Sequence, residues 1–173
     1  MIIRAATEDD ARQIADIWNP QIRDTAVTFT TALKTPAGLA QDIAARTAEG
    51  KAFLVAEKDG RILGFATYFQ FRGGPGYART MEHSVILSPD TWGQGIGRAL
   101  MEALEEQARG ANVHSLFAGV SSENPRAIAF HEKIGFTRVA TLPEVGFKFG
   151  RWMDLVLLQK LLCQRPDNAE ESR

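Results

Sequence analysis

Three glycines at alternate positions, Gly93, Gly95 and Gly97, lie between an apolar run, Val85-Ile86-Leu87, and an amphipathic pattern that begins near Ile96. That order predicts strand, glycine loop, helix. Glycine accepts positive φ and lets the backbone come close to a ligand. A helix N-terminus adds N–H groups that have no intrahelical partner and attract an anion. The layout therefore favours a phosphate-bearing ligand. Two common phosphate loops do not fit it. No Gly-Lys-Ser/Thr is present, and Arg98 stands where a G-x-G-x-x-G loop needs its third glycine. Such a loop also follows an early strand, whereas this one is mid-chain.

A second segment narrows the choice. Asn124-Pro125-Arg126-Ala127 opens a short helical stretch that carries His131 and stops at Gly135-Phe136. One apolar strand, Leu116 to Val120, separates it from the glycine loop. In this order the two segments resemble the signature motifs of the GNAT superfamily of acetyl-CoA-dependent N-acetyltransferases. Within it, Tyr77 to Val85, His131 and Phe147 to Val156 are most similar to the phosphinothricin and methionine sulfoximine acetyltransferase group. The resemblance runs from Ile2 to about Leu162. Trp92 departs from it, standing where relatives usually carry Gln or Arg.

The remaining chain sets the frame. With 173 residues, a single domain over 1–163 is expected, followed by a polar, disordered tail at 164–173. A net charge of −1 gives no electrostatic reason to expect nucleic acid or an anionic membrane. A lone cysteine, Cys163, allows no internal disulfide and fits a cytoplasmic setting. No apolar leader is seen, and no metal is expected.

Strands are expected near Ile2-Ile3, over Phe53–Glu57 and Ile62–Phe71 (joined by Asp59-Gly60), and over Glu82–Leu87, Leu116–Val120, Thr137–Ala140 and Met153–Leu158. Helices are expected after Thr7, from Pro36 to about Glu49, from Ile96 to about Arg109 and from Asn124 to Ile134. Arg72 to Arg79 reads as a flexible glycine-rich segment. This order predicts a three-layer α/β (α+β) fold around one mixed sheet. The resemblance implies about seven mostly antiparallel strands and about four helices, with the sheet splayed into a V beside the glycine loop.

The site residues follow in the same two steps. Gly93, Gln94, Gly95, Ile96, Gly97 and Arg98 would surround a pyrophosphate through backbone N–H groups. The resemblance adds that Val85, Ile86 and Leu87 pair with the pantetheine arm like a further strand. It also has a main-chain N–H there polarise the thioester carbonyl. Asn124 reads as a helix N-cap, and by resemblance it too contacts that arm. Glu82 is by resemblance the general base, a need set by an α-amine that is mostly ammonium at pH 7. His131 stands where relatives use tyrosine to protonate the leaving thiolate. His83, on an alternating strand, should face away from Glu82. Phe29, Thr30, Arg72, Pro75, Gly76, Tyr77 and Arg79 are implied to form the pocket of a small amine acceptor. Lys148 to Trp152 are implied to lie near that pocket and a homodimer contact.

Overall fold

The computed structural model describes residues 1–163; the tail expected at 164–173 lies outside the described residues. Seven strands and four α-helices follow the chain as β1 (Ile2–Ala5), α1 (Ala11–Asp24), α2 (Pro36–Ala48), β2 (Phe53–Lys58), β3 (Arg61–Gln70), β4 (Thr80–Leu87), α3 (Ile96–Gly110), β5 (Ser115–Ser121), α4 (Pro125–Lys133), β6 (Thr137–Lys148) and β7 (Arg151–Leu161). The strands form one sheet in the order β1-β2-β3-β4-β5-β7-β6. Every neighbouring pair is antiparallel except β4 and β5. A parallel pair needs a crossover, and α3 supplies it.

Helices cover both faces of the sheet. On one, Ile14, Leu39 and Ile43 of α1 and α2 pack against Val55 and Phe65. On the other, Leu100 and Leu104 of α3 pack with Leu54, Leu116 and Leu158. Strand β2 is accordingly buried from Phe53 to Ala56 without alternation. Local chemistry agrees with these elements. Thr35 Oγ1 accepts the Gly38 N–H at 3.1 Å ahead of Pro36, starting α2. Asp59 and Gly60 both take positive φ, 52° and 78°, as a tight hairpin turn demands.

The feature that makes a site is a break in the sheet. β4 and β5 pair only from Thr80↔Ser115 to His83↔Ala118. Beyond that point β4 stays on β3 as far as Leu87, and β5 stays on β7 as far as Ser121. The two strands part and leave an opening between them.

Two expectations need correction. β6 runs twelve residues, Thr137–Lys148, far past Ala140, although Pro143 and Gly146 read as breakers. β6 is the edge strand, where proline costs no ladder hydrogen bond, and the register shifts between Leu142 and Gly146 absorb the irregularity. Glu144, at φ 51° within that stretch, donates its N–H to Asp154 Oδ1 at 2.9 Å. Thr7 leads not directly into α1 but into a single 3₁₀ turn, Glu8–Asp10, and α1 begins at Ala11. No helix among the described residues is long and apolar enough to cross a membrane.

Candidate active site

A cleft of about 620 Å³ occupies the opening between β4 and β5. One wall is the end of β4, including Val85, Ile86 and Leu87; another is the glycine loop and the start of α3. From Ser84 onward β4 has no strand partner on its β5 side, so main-chain groups there are free to pair with an extended ligand.

Gly93 and Gly95 hold φ of 79° and 80°, and a Cβ on either would meet no heavy atom within 4 Å. Backbone conformation, not space, requires glycine there. Gly97 is different: it lies in the first turn of α3, where a Cβ would sit 3.4 Å from both Leu87 and Phe130. Gly95 is the N-cap of α3, and no side chain caps the helix. Its first-turn amides face the cleft through Ile96, Gly97 and Arg98, an arrangement that fits a pyrophosphate. Gln94 turns its side chain back onto the Asp90 carbonyl at 3.0 Å and is not on the wall. Asn124 is on the wall and caps α4, accepting the Ala127 N–H at 3.1 Å.

Glu82 and His83 point to opposite faces of β4. His83 is buried against His131 and Phe136, with ring centroids 5.0 and 5.4 Å away. His131 Nδ1 lies 2.7 Å from the Ala127 carbonyl oxygen. A carbonyl only accepts, so Nδ1 carries the proton and Nε2 of the neutral ring is a bare acceptor. Burial holds both imidazoles below their ordinary range, His83 furthest, with His131 adding to its shift. His131 Nε2 and both His83 nitrogens have no hydrogen-bond partner among the described residues. Glu82 sits on the other face, beside Phe69 and Phe117 in register. Burial raises its carboxyl above the usual range. The carboxylate lies against Gly119 of β5, where a Cβ would come within 2.7 Å of Oε1; Gly119 is itself on the cleft wall.

The residues expected for the acceptor pocket do not line this cleft. Arg72 to Arg79 form an exposed loop at the head of β4, two residues before Glu82. The loop is not free: Gln70 Nε2 donates to the carbonyls of Arg72 and Gly74 at 2.7 and 2.8 Å, and Pro75–Tyr77 form a 3₁₀ turn. The Arg72 guanidinium sits 5.7 Å from the Tyr77 ring. Thr30 is exposed, and Phe29 covers Gly146 of β6 so closely that a Cβ there would come within 2.3 Å of its ring.

Sequence reasoning missed other parts of the wall, among them Trp18 and Gln21 of α1, Val27 and Thr28 of the loop after it, and Ala118 to Val120 of β5. Gly119, a glycine inside an apolar strand, was the signal for close approach. Lys148, implied by the resemblance to lie near the acceptor pocket, anchors the loop after α1. Its buried Nζ donates to the carbonyls of Thr25 and Thr28 at 2.6 and 2.8 Å, pinning the loop that carries Val27 and Thr28.

Comparison with known proteins agrees with this geometry. The model of the acetyltransferase (GNAT) family matches residues 13–136. An L-amino acid N-acyltransferase of Escherichia coli K12 is 36% identical, over 96% of this chain and 97% of its own length. An L-methionine sulfoximine/L-methionine sulfone acetyltransferase of Salmonella typhimurium LT2 is also 36% identical, over 92% and 93%. The structure of an acetyltransferase from Salmonella typhimurium with its cofactor acetyl-CoA superposes with a TM-score of 0.92, at 35% identity and 95% coverage of both chains.

Proposed function

The chain belongs to the GNAT acetyltransferase family, as an N-acetyltransferase that uses acetyl-CoA, and we propose that it acetylates the α-amino group of a small amino-acid-like acceptor. Methionine sulfoximine, methionine sulfone and phosphinothricin define the acceptor class. The observation that carries this reading is the through-sheet cleft, with a capless helix N-terminus on one wall and an unpaired β4 edge on another. Acetyl-CoA is a substrate consumed in each turnover. The amides from Gly93 to Arg98 hold its pyrophosphate, the Val85–Leu87 edge pairs with its pantetheine arm, and a β4 N–H polarises the carbonyl.

Glu82 takes a proton from the acceptor ammonium, directly or through one water. Its burial among apolar neighbours suits a base working near neutral pH. The amine then attacks in a ternary complex: the C–N bond forms and the C–S bond breaks. The nitrogen loses a second proton and the sulfur gains one. His131 carries that proton. Its neutral ring offers a bare Nε2 to receive it, and the resulting imidazolium, held by burial below the ordinary imidazole range, is a stronger acid than a thiol (roughly 8.5) and gives the proton up to sulfur downhill.

Arg72 and Arg79, on the loop before Glu82, supply charge for the acceptor carboxylate. An amine panel with acetyl-CoA, following free thiol release, tests this. Methionine sulfoximine is expected to be acetylated, with kcat/KM for its decarboxylated amine lower by about one to two decades, the size of one charge-assisted contact. Equal rates on both would refute carboxylate recognition and point to a polyamine or protein amine as acceptor.

The chain acts as a cytoplasmic homodimer. Val145, Phe147, Phe149 and Trp152 expose half or more of their surface on the β6–β7 hairpin, an apolar patch of the kind that marks an interface. Sedimentation velocity at micromolar concentration is expected to give twice the monomer mass, and Trp152→Glu to give the monomer. A monomeric wild type rejects the dimer.

A further inference from the structure

Trp92 and Arg126 come from different elements and meet at the rim of the cleft. Trp92 follows the 3₁₀ turn Pro89–Thr91, just ahead of the glycine loop; Arg126 is the second residue of α4. Both line the cleft, and the Arg126 guanidinium lies 4.6 Å from the centroid of the Trp92 ring.

Neither placement serves the fold. Trp92 leaves 46% of its surface exposed, although an indole gains most from burial. Arg126 sits at the positive end of a helix, where the macrodipole disfavours a cation, and makes no ion pair among the described residues. Arg61 and Arg151, also exposed, are by contrast paired, with Asp90 at 2.8 Å and with Glu123. A cation held over an indole beside the amides of the glycine loop is arranged for a ligand that carries both an aromatic ring and an anion.

Resting on the donor site proposed above, we infer that Trp92 and Arg126 form a grip for the nucleotide end of acetyl-CoA. The face of the indole turned away from Arg126 stacks the adenine, and the guanidinium pairs with the ribose phosphate. Arginine on one face and a base on the other is a stable sandwich, because cation–π and stacking contacts use opposite sides of one ring. The pyrophosphate remains with the loop amides, so the three contacts divide the nucleotide among them.

The test measures Kd by calorimetry for acetyl-CoA, for its analogue lacking the ribose phosphate, and for S-acetylpantetheine, which lacks the whole nucleotide. Trp92→Ala is expected to weaken both nucleotide donors about tenfold and to leave S-acetylpantetheine unchanged. Arg126→Ala is expected to weaken acetyl-CoA about tenfold and to leave the dephosphorylated donor within twofold. Acetyl-CoA should quench tryptophan emission in wild type and do so much less in Trp92→Phe. Both side chains are exposed, so the variants should melt with wild type; should Trp92→Ala melt early, Trp92→Gln replaces it with the same expectation. An acetyl-CoA Kd within twofold of wild type in the Trp92 variant, or equal losses for both nucleotide donors in Arg126→Ala, overturns the inference. Wild type failing to bind acetyl-CoA would instead remove the donor site itself.

Discussion

Glu82→Gln lowers kcat at least a hundredfold at pH 7 while leaving acetyl-CoA affinity unchanged. Glutamine keeps the size of the side chain but cannot accept the proton, and general-base catalysis contributes roughly 10²- to 10⁴-fold. The proposed donor contacts lie further along β4 and in the glycine loop, on the cleft wall. The pH profile carries the sign. Burial raises the Glu82 carboxyl, so it loses its proton-accepting form as pH falls through a value above the ordinary carboxylate range. The acid limb of the wild-type rate therefore sits high, and it disappears in the variant. At higher pH more acceptor amine is already neutral, and the deficit shrinks. Steady-state rates from pH 5 to 9.5 read all of this. A loss below threefold at pH 7 sinks the assignment, and a deficit constant up to pH 9.5 makes Glu82 a residue that positions the acceptor. Gly119→Ala is the companion variant. Its methyl takes the space of Glu82 Oε1; a side-chain tip moves at little cost in stability, so kcat should fall while the melting temperature holds.

Gly95→Val weakens acetyl-CoA binding by about tenfold or more, with roughly fivefold as the floor. At φ 80° a β-branched side chain is strained whatever space surrounds it. Strain of this kind costs about 1–3 kcal/mol, which corresponds to roughly 5- to 150-fold. The chain relieves it by rotating the peptide, and the α3 amides lose their common aim. Calorimetry gives the affinity, and circular dichroism shows whether the fold survives. Unchanged affinity in a folded variant would mean that the loop does not hold the donor.

The proposed donor half of this site was legible because it is contiguous. A strand, a glycine loop and a helix start are one stretch of chain, and the glycines announce the backbone conformation that the structure contains. Even there, three similar residues split into two roles, since Gly97 answers to Leu87 and Phe130, which no spacing rule reveals. Alternation alone placed His83 opposite Glu82. The part of the cleft built from distant segments was less legible. Thr28 and Lys148 are 120 residues apart, and only the docking of β6 against the loop after α1 makes them partners. Local propensity failed on β6 for a related reason: Pro143 is a breaker inside a sheet and harmless at its edge.

The short β4–β5 ladder has a consequence beyond catalysis. On one side of it β2, β3 and β4 join through consecutive antiparallel pairings; on the other β5, β7 and β6 do the same. Within the sheet four parallel residue pairs bridge the two halves; outside it the α3 crossover, the core packed on it and the Lys148 bonds to the loop after α1 also join them. Local opening in a native protein tends to follow boundaries that few bonds cross, and within the sheet the four-pair seam beside the cleft is one of these. A molecule lying along the seam bonds to both half-sheets and favours the closed form by mass action. Binding there would couple the two half-sheets through the bound molecule as well as through the chain.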